Sequence, residues 1–187
     1  GLANVKNNIP INSTTAFRLA SLSKQFTTLA ILILKEKGFL NFDDKLKKFF
    51  PDFPNYGKDI TLRQILSHTS GLPDHEAPLY RQLKKGQEPT IYDALEVLKK
   101  ETKALFKPGF KYLYSDAGFV VLALIIEKLS GQKYADFLKQ NIFLPLQMNN
   151  TFVLDETIPF IKNRALGYKL AGRKYKLFDY DPLNYII

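Results

Sequence analysis

The sequence predicts an α+β chain in which helices dominate, on three observations. Apolar residues recur at helical spacing through most of the stretch from Ser21 to Leu146. After Thr151 the texture changes, and "RALGYKLAGRKYKLFDY" alternates around Ala171-Gly172 in the manner of a β-hairpin. At the other end, "GLANVKNNIP" reads as the exit of an early strand whose upstream partner is missing. No repeat, low-complexity tract or linker interrupts the 187 residues, so they read as a single domain segment.

Each element has its own warrant. The first helix runs from Ser21 to about Lys37, with Phe26, Leu29, Ala30, Leu32 and Ile33 on a helical repeat and Gly38 as its stop. "NFDDKLKKFFPDFP" is a short amphipathic helix closed by prolines. "TLRQILSHTSGLPDH" opens on Thr61 as a helix cap and breaks at Ser70-Gly71. "TIYDALEVLKKE" repeats that design with Thr90 as cap. "LFKPGFKYLYSDAG" is a loop, because Pro108-Gly109 signals a turn and its aromatics lack helical spacing. "AGFVVLALIIEKLSG" is a strongly apolar helix ending at Gly131, and "KYADFLKQNIFLPL" is a further amphipathic one.

Composition narrows the function classes. Hydrophobic residues at 45% and charged residues at 24% provide for a packed core. Without cysteine there is no disulfide, thiol nucleophile or thiolate metal site. The formal charge of +9 favours anionic partners such as cell-wall polymers, membrane surfaces, nucleic acid or carboxylate substrates. The lysines are dispersed (Lys45, Lys47, Lys48, Lys84, Lys85, Lys99, Lys100), which reads as solvated helix faces and not a nucleic-acid groove. The apolar runs "LAILIL" and "GFVVLALII" are shorter than the roughly 20 residues a bilayer span requires. Phosphate loops, dinucleotide fingerprints, a Gly-x-Ser-x-Gly elbow around Ser70 and a zinc spacing among His68, Asp74 and His75 are all absent.

One constellation carries chemistry. Ser21 and Lys24, three apart, share one helix face one turn from each other. A serine in the first turn sits at the positive end of the helix dipole, which favours developing negative charge. Lysine is a base only when neutral, which requires desolvation or a neighbouring cation. Leu19, Ala20, Leu22 and Phe26 offer an apolar wall. Spacing alone is weak, since Ser130 and Lys133 repeat it at a helix end beside Gly131.

The context of Ser21 separates the two. "FRLASLSKQFT" resembles the nucleophile segment of the serine β-lactamase and penicillin-binding protein superfamily, in its class C-type branch. "FKPGFKYLYSDAGFVVLALIIEKLSG" is similar to that family's Pro-Gly turn, Tyr-x-Asn motif and following apolar helix, and "ITLRQILSHTSGLPDH" resembles a segment the branch carries in between. The resemblance implies a β-lactamase/transpeptidase-like fold, of which this chain is mostly the helical part with a small part of the sheet. It implies Ser21 as the acylated nucleophile, Lys24 as its activating partner and Tyr114 as a phenol that moves protons. Asp116 stands where the family usually has asparagine, at a substrate-binding position. A carboxylate there only accepts hydrogen bonds and adds negative charge beside Lys24. Ser23 and Tyr112 read as structural, His68 as a structural hydrogen-bonding residue, and His75 as a loop residue near the cleft rim.

The family's third motif, Lys-Thr-Gly or His-x-Gly on a strand, does not occur, and its place falls beyond Ile187. The expectation is therefore a serine hydrolase segment acting through an acyl-enzyme on D-amino-acid peptides, β-lactams or esters, without metal or organic cofactor. Its partners are a small-molecule or peptide substrate, with cell-wall or membrane-surface association, and not nucleic acid. The longer protein is expected to be periplasmic, extracellular or membrane-associated, and exposed strand edges favour self-association of the segment. The alternative is a catalytically silent module of the same fold that holds an anionic polymer.

Overall fold

The computed structural model describes residues 1–82, 89–154, 161 and 163–178. Lys84, Lys85 and the last two residues of the segment read as a hairpin, Asp179 and Tyr180, lie outside them. In chain order the elements are β1 (Leu2–Asn4), β2 (Ile9–Pro10), α1 (Lys24–Glu36), α2 (Leu46–Phe49), α3 (Leu62–Leu66), α4 (Glu76–Gln82), α5 (Ile91–Lys100), α6 (Asp116–Ser130), α7 (Tyr134–Leu138), β3 (Tyr168–Ala171) and β4 (Lys174–Leu177). A turn of 3₁₀ helix, Ala20–Ser23, leads into α1.

The core is organised by α6. Ten successive residues, Ala117 to Ile126, are buried, as expected for a helix apolar on every side. Around it pack α1, α3, α5 and α7. Ser115 caps it by accepting from the Gly118 amide, and Gly131 ends it at φ 68°, the left-handed stop that glycine adopts without penalty. At Gly118 α3 comes close, since a Cβ there would lie 2.9 Å from Ile65. Capping boxes start two of the surrounding helices. Thr61 pairs reciprocally with Gln64, and Thr90 with Asp93, so two orphan amides are satisfied at each start.

Strands are few among the described residues. β1 pairs with β2, and β3 with β4, both antiparallel. Among the described residues the partner of the first strand is Ile9–Pro10, just downstream of it. The hairpin expected around Ala171-Gly172 forms in register, with Ala171 opposite Lys174. The two regions meet where Leu166 donates to the Ala3 carbonyl and Ala165 to that of Ala16.

Two helices depart from expectation. α4 was not anticipated, because its seven residues bury only Leu79 and present no repeat to read. Asp74 accepts from the Glu76 and Ala77 amides at its start. α3 ends at Leu66, four residues before Ser70, because His68 turns left-handed at φ 57°. The His68 amide donates to Ile65 and the Thr69 amide to Gln64. That pair of bonds is a Schellman motif with histidine in the position glycine usually holds.

Candidate active site

Ser21 lies in the 3₁₀ turn at the head of α1, exposed to solvent. Its neighbour Ala20 has φ 47°, a left-handed conformation that costs a non-glycine residue about 1–2 kcal/mol. Lys24, one turn further, is buried at 9% exposure. Its Nζ donates to Ser21 Oγ at 3.3 Å and forms an ion pair with Asp116. It also sits 5.0 Å from the ring centroid of Tyr114 and 5.4 Å from that of Phe119, within cation–π range. The structure therefore brings Ser21, Lys24, Tyr114 and Asp116 together, although more than 90 residues separate the two halves (|i−j| = 92 for Lys24 and Asp116).

Burial works against the charge on Lys24, but the Asp116 carboxylate and the Tyr114 phenol outweigh it and raise its pKa above the usual lysine value. The ammonium form is accordingly the resting form. It donates to Ser21 Oγ and cannot accept that oxygen's proton until it has lost its own.

Asp116 and Tyr114 are held by the capping of α6 and by a laced pair of loops. Asp116 is the first residue of α6 and one-third exposed on its side chain. Ahead of it, the loop 105–114 is tied to the loop 68–72 by three backbone bonds. Leu113 donates to His68, Gly109 to Thr69 and Leu105 to Gly71. Gly71 has φ 74°, and a Cβ there would lie 2.4 Å from the Phe106 carbonyl oxygen, so no larger residue fits this crossing. The loop expected over 105–118 is borne out as far as Ser115, and its last three residues, Asp116 to Gly118, are already the first turn of α6.

Other sequence readings divide. His68 does make the expected structural hydrogen bond, its Nδ1 accepting from the Ser115 amide at 3.1 Å. The reading missed that its ring stacks on Tyr114, with centroids 4.4 Å apart at 26°. No local signal could have paired them, because the contact spans two loops. His75 is corrected. It lies in the loop as expected but is 1% exposed, so it offers no open surface at a rim. Burial pushes its imidazole down from the ordinary value, against the pull of Asp74 and Asp116. Tyr112 is 65% exposed and touches His68 edge-on. Among the described residues no group of three or more histidine or acidic side chains is placed to hold a metal ion. None of their helices is long and apolar enough to cross a membrane.

A buried lysine bonded to an exposed serine one turn away thus meets a tyrosine and a carboxylate from the head of a central apolar helix. The Beta-lactamase family model matches residues 1–182, and the chain belongs to that family. It is 38% identical to Penicillin-binding protein 4* of Bacillus subtilis (strain 168), over all of this chain and 42% of the relative. Its fold superposes on the octameric penicillin-binding protein homologue from Pyrococcus abyssi with a TM-score of 0.80 and 32% identity, covering 100% of this chain and 43% of that one. The D-amino acid amidase from Ochrobactrum anthropi SV3, complexed with L-phenylalanine amide, superposes at 0.84 and 28% identity, covering 100% and 53%. The chain spans about two-fifths of the length of curated relatives such as the B. subtilis protein. The β-lactamase/transpeptidase-like fold expected from the sequence is borne out.

Proposed function

We propose that this chain carries the nucleophile half of a serine hydrolase that works through an acyl-enzyme. Ser21 Oγ attacks a carbonyl carbon, and its proton passes to Lys24 once the lysine is neutral. Tyr114, against the lysine, relays that proton to the leaving group. Amides at the head of α1 face the developing oxyanion, and water then releases the acyl group. Asp116 borders the place where substrate would lie. The observation that carries the reading is Lys24, buried and bonded at once to Ser21 Oγ and to Asp116.

The substrate class is a D-amino-acid peptide, a β-lactam or an ester, in that order. The amidase and penicillin-binding neighbours support amide and lactam carbonyls. The same reading places the longer protein at the cell envelope, where a formal charge of +9 suits anionic polymers. Self-association through strand edges belongs to this proposal as well.

The test is covalent labelling of the full-length protein with a fluorescent penicillin and a fluorophosphonate between pH 6 and 9. Labelling that disappears in Ser21→Ala is the expected result. Absence of labelling and of hydrolysis across that range overturns the reading and leaves the silent polymer-binding module in its place.

A further inference from the structure

Resting on the nucleophile reading above, we propose that His68 is a positioning residue that sets the Tyr114 phenol against Lys24. The contacts of this one residue bracket the tyrosine along the chain. The His68 carbonyl accepts from the Leu113 amide at 2.9 Å, on the residue before it. The Nδ1 atom accepts from the Ser115 amide at 3.1 Å, on the residue after it. Between these two bonds the imidazole stacks on the Tyr114 ring itself and lies 5.3 Å from Phe119 at 32°. Three consecutive residues of the site segment are thereby held from a single side.

The backbone shows that the imidazole has a task here. His68 occupies the left-handed position of a Schellman turn, at φ 57°. Glycine fits that position without strain, and asparagine is the next best. Helix termination alone would be served better by either. A strained residue next to a site is grounds for a functional hypothesis. The ring supplies what glycine lacks, namely an acceptor for Ser115 and a plate for Tyr114.

The protonation state agrees with the geometry. A nitrogen that accepts from an amide carries no proton, so the neutral ring holds its hydrogen on Nε2. Burial, first, and the Lys24 ammonium push the His68 pKa down, against the pull of the Asp116 carboxylate. The neutral form that the bond requires is therefore the favoured one. Losing the bond would orphan the Ser115 amide at the cap of α6 and free Tyr114 to tilt. A misplacement of about 1 Å at a reacting group costs about 10²-fold in rate.

Three variants of the full-length protein test this: His68→Phe, His68→Asn and His68→Gly. Phenylalanine keeps a stacking ring and removes the acceptor. Asparagine carries an acceptor oxygen where Nδ1 stood and tolerates the left-handed backbone. Glycine relieves the backbone and removes both contacts. The limiting rate and half-saturating concentration of acylation by the fluorescent penicillin are measured, with hydrogen exchange across residues 113–116. The limiting rate is expected to fall about 10²-fold in the Phe and Gly variants, with the half-saturating concentration unchanged. The Asn variant recovers most of that rate. The Ser115 amide exchanges faster in Phe and Gly, and stays protected in Asn. Folded Phe or Gly variants that acylate like the parent, or an Asn variant no faster than Phe, overturn the proposal. If the parent itself fails to label, the nucleophile reading falls, and exchange still decides the positioning claim: unchanged protection of Ser115 in the Gly variant refutes it.

Discussion

Ser21/Lys24 and Ser130/Lys133 have the same spacing and opposite surroundings. Ser130 is the last residue of α6, and its Oγ accepts from the Gln132 amide in the turn that Gly131 makes. Lys133 caps the next helix, with Nζ 5.3 Å from the Tyr92 ring. Hydroxyl and ammonium are each spent locally there. At Ser21 the lysine is buried, bonded to the serine and paired with a carboxylate 92 residues further along the chain. The comparison teaches that a motif is a site when the rest of the fold encloses the basic residue and leaves the hydroxyl exposed.

The largest expected effect separates the two lysines directly. Lys24→Met removes the proton acceptor of the proposed mechanism, and acylation by the fluorescent penicillin should slow by about 10²–10⁴-fold. Lys133→Met should leave that rate unchanged. Equal loss in both variants would dissolve the contrast.

A smaller effect concerns the partner that only Lys24 has. Asp116 raises the lysine pKa, so the protein must reach higher pH before neutral Lys24 is populated. Asp116→Asn removes the charge that opposes deprotonation. The acid limb of the acylation rate should then move to lower pH in a rate profile between pH 5 and 10. A limb that stays in place would mean that Lys24 is not the titrating group.

The smallest effect compares two glycines, Gly131 beside Ser130/Lys133 and Gly71 in the loop crossing that leads to Tyr114. Gly131 has φ 68° with open space around it, so Gly131→Ala should cost about 1–2 kcal/mol in backbone strain alone. Gly71, at φ 74°, also has the Phe106 carbonyl in the way of a Cβ. Gly71→Ala should cost a further ~1–3 kcal/mol from overpacking. Denaturant unfolding of both variants measures the difference, and Gly71→Ala should also lower acylation, because that crossing carries the loop before Tyr114.

How far the fold could be read depended on the range of the forces involved. The cap at Thr90, the stop at Gly131 and the apolar length of α6 were legible, because capping and amphipathicity act within a few residues. The hairpin at Ala171-Gly172 was legible for the same reason. α4 was not, since a seven-residue helix burying one side chain leaves almost no pattern. The end of α3 was misplaced because histidine in a left-handed turn defies its own preference, and the loop contacts that favour it lie 47 residues away.

The same boundary runs through the site. By itself the sequence determined that Ser21 and Lys24 lie one turn apart at the head of a helix, and that Tyr114 and Asp116 stand at the head of another. The resemblance carried by those two segments determined the family. Only the tertiary structure decided that the two heads meet, that Lys24 is buried between Ser21 and Asp116, and that His68 lies against Tyr114. Local propensity acts over one or two turns of chain. Burial, ion pairing across the molecule and the pKa they impose exist only once the apolar faces of α1, α3 and α6 have packed together.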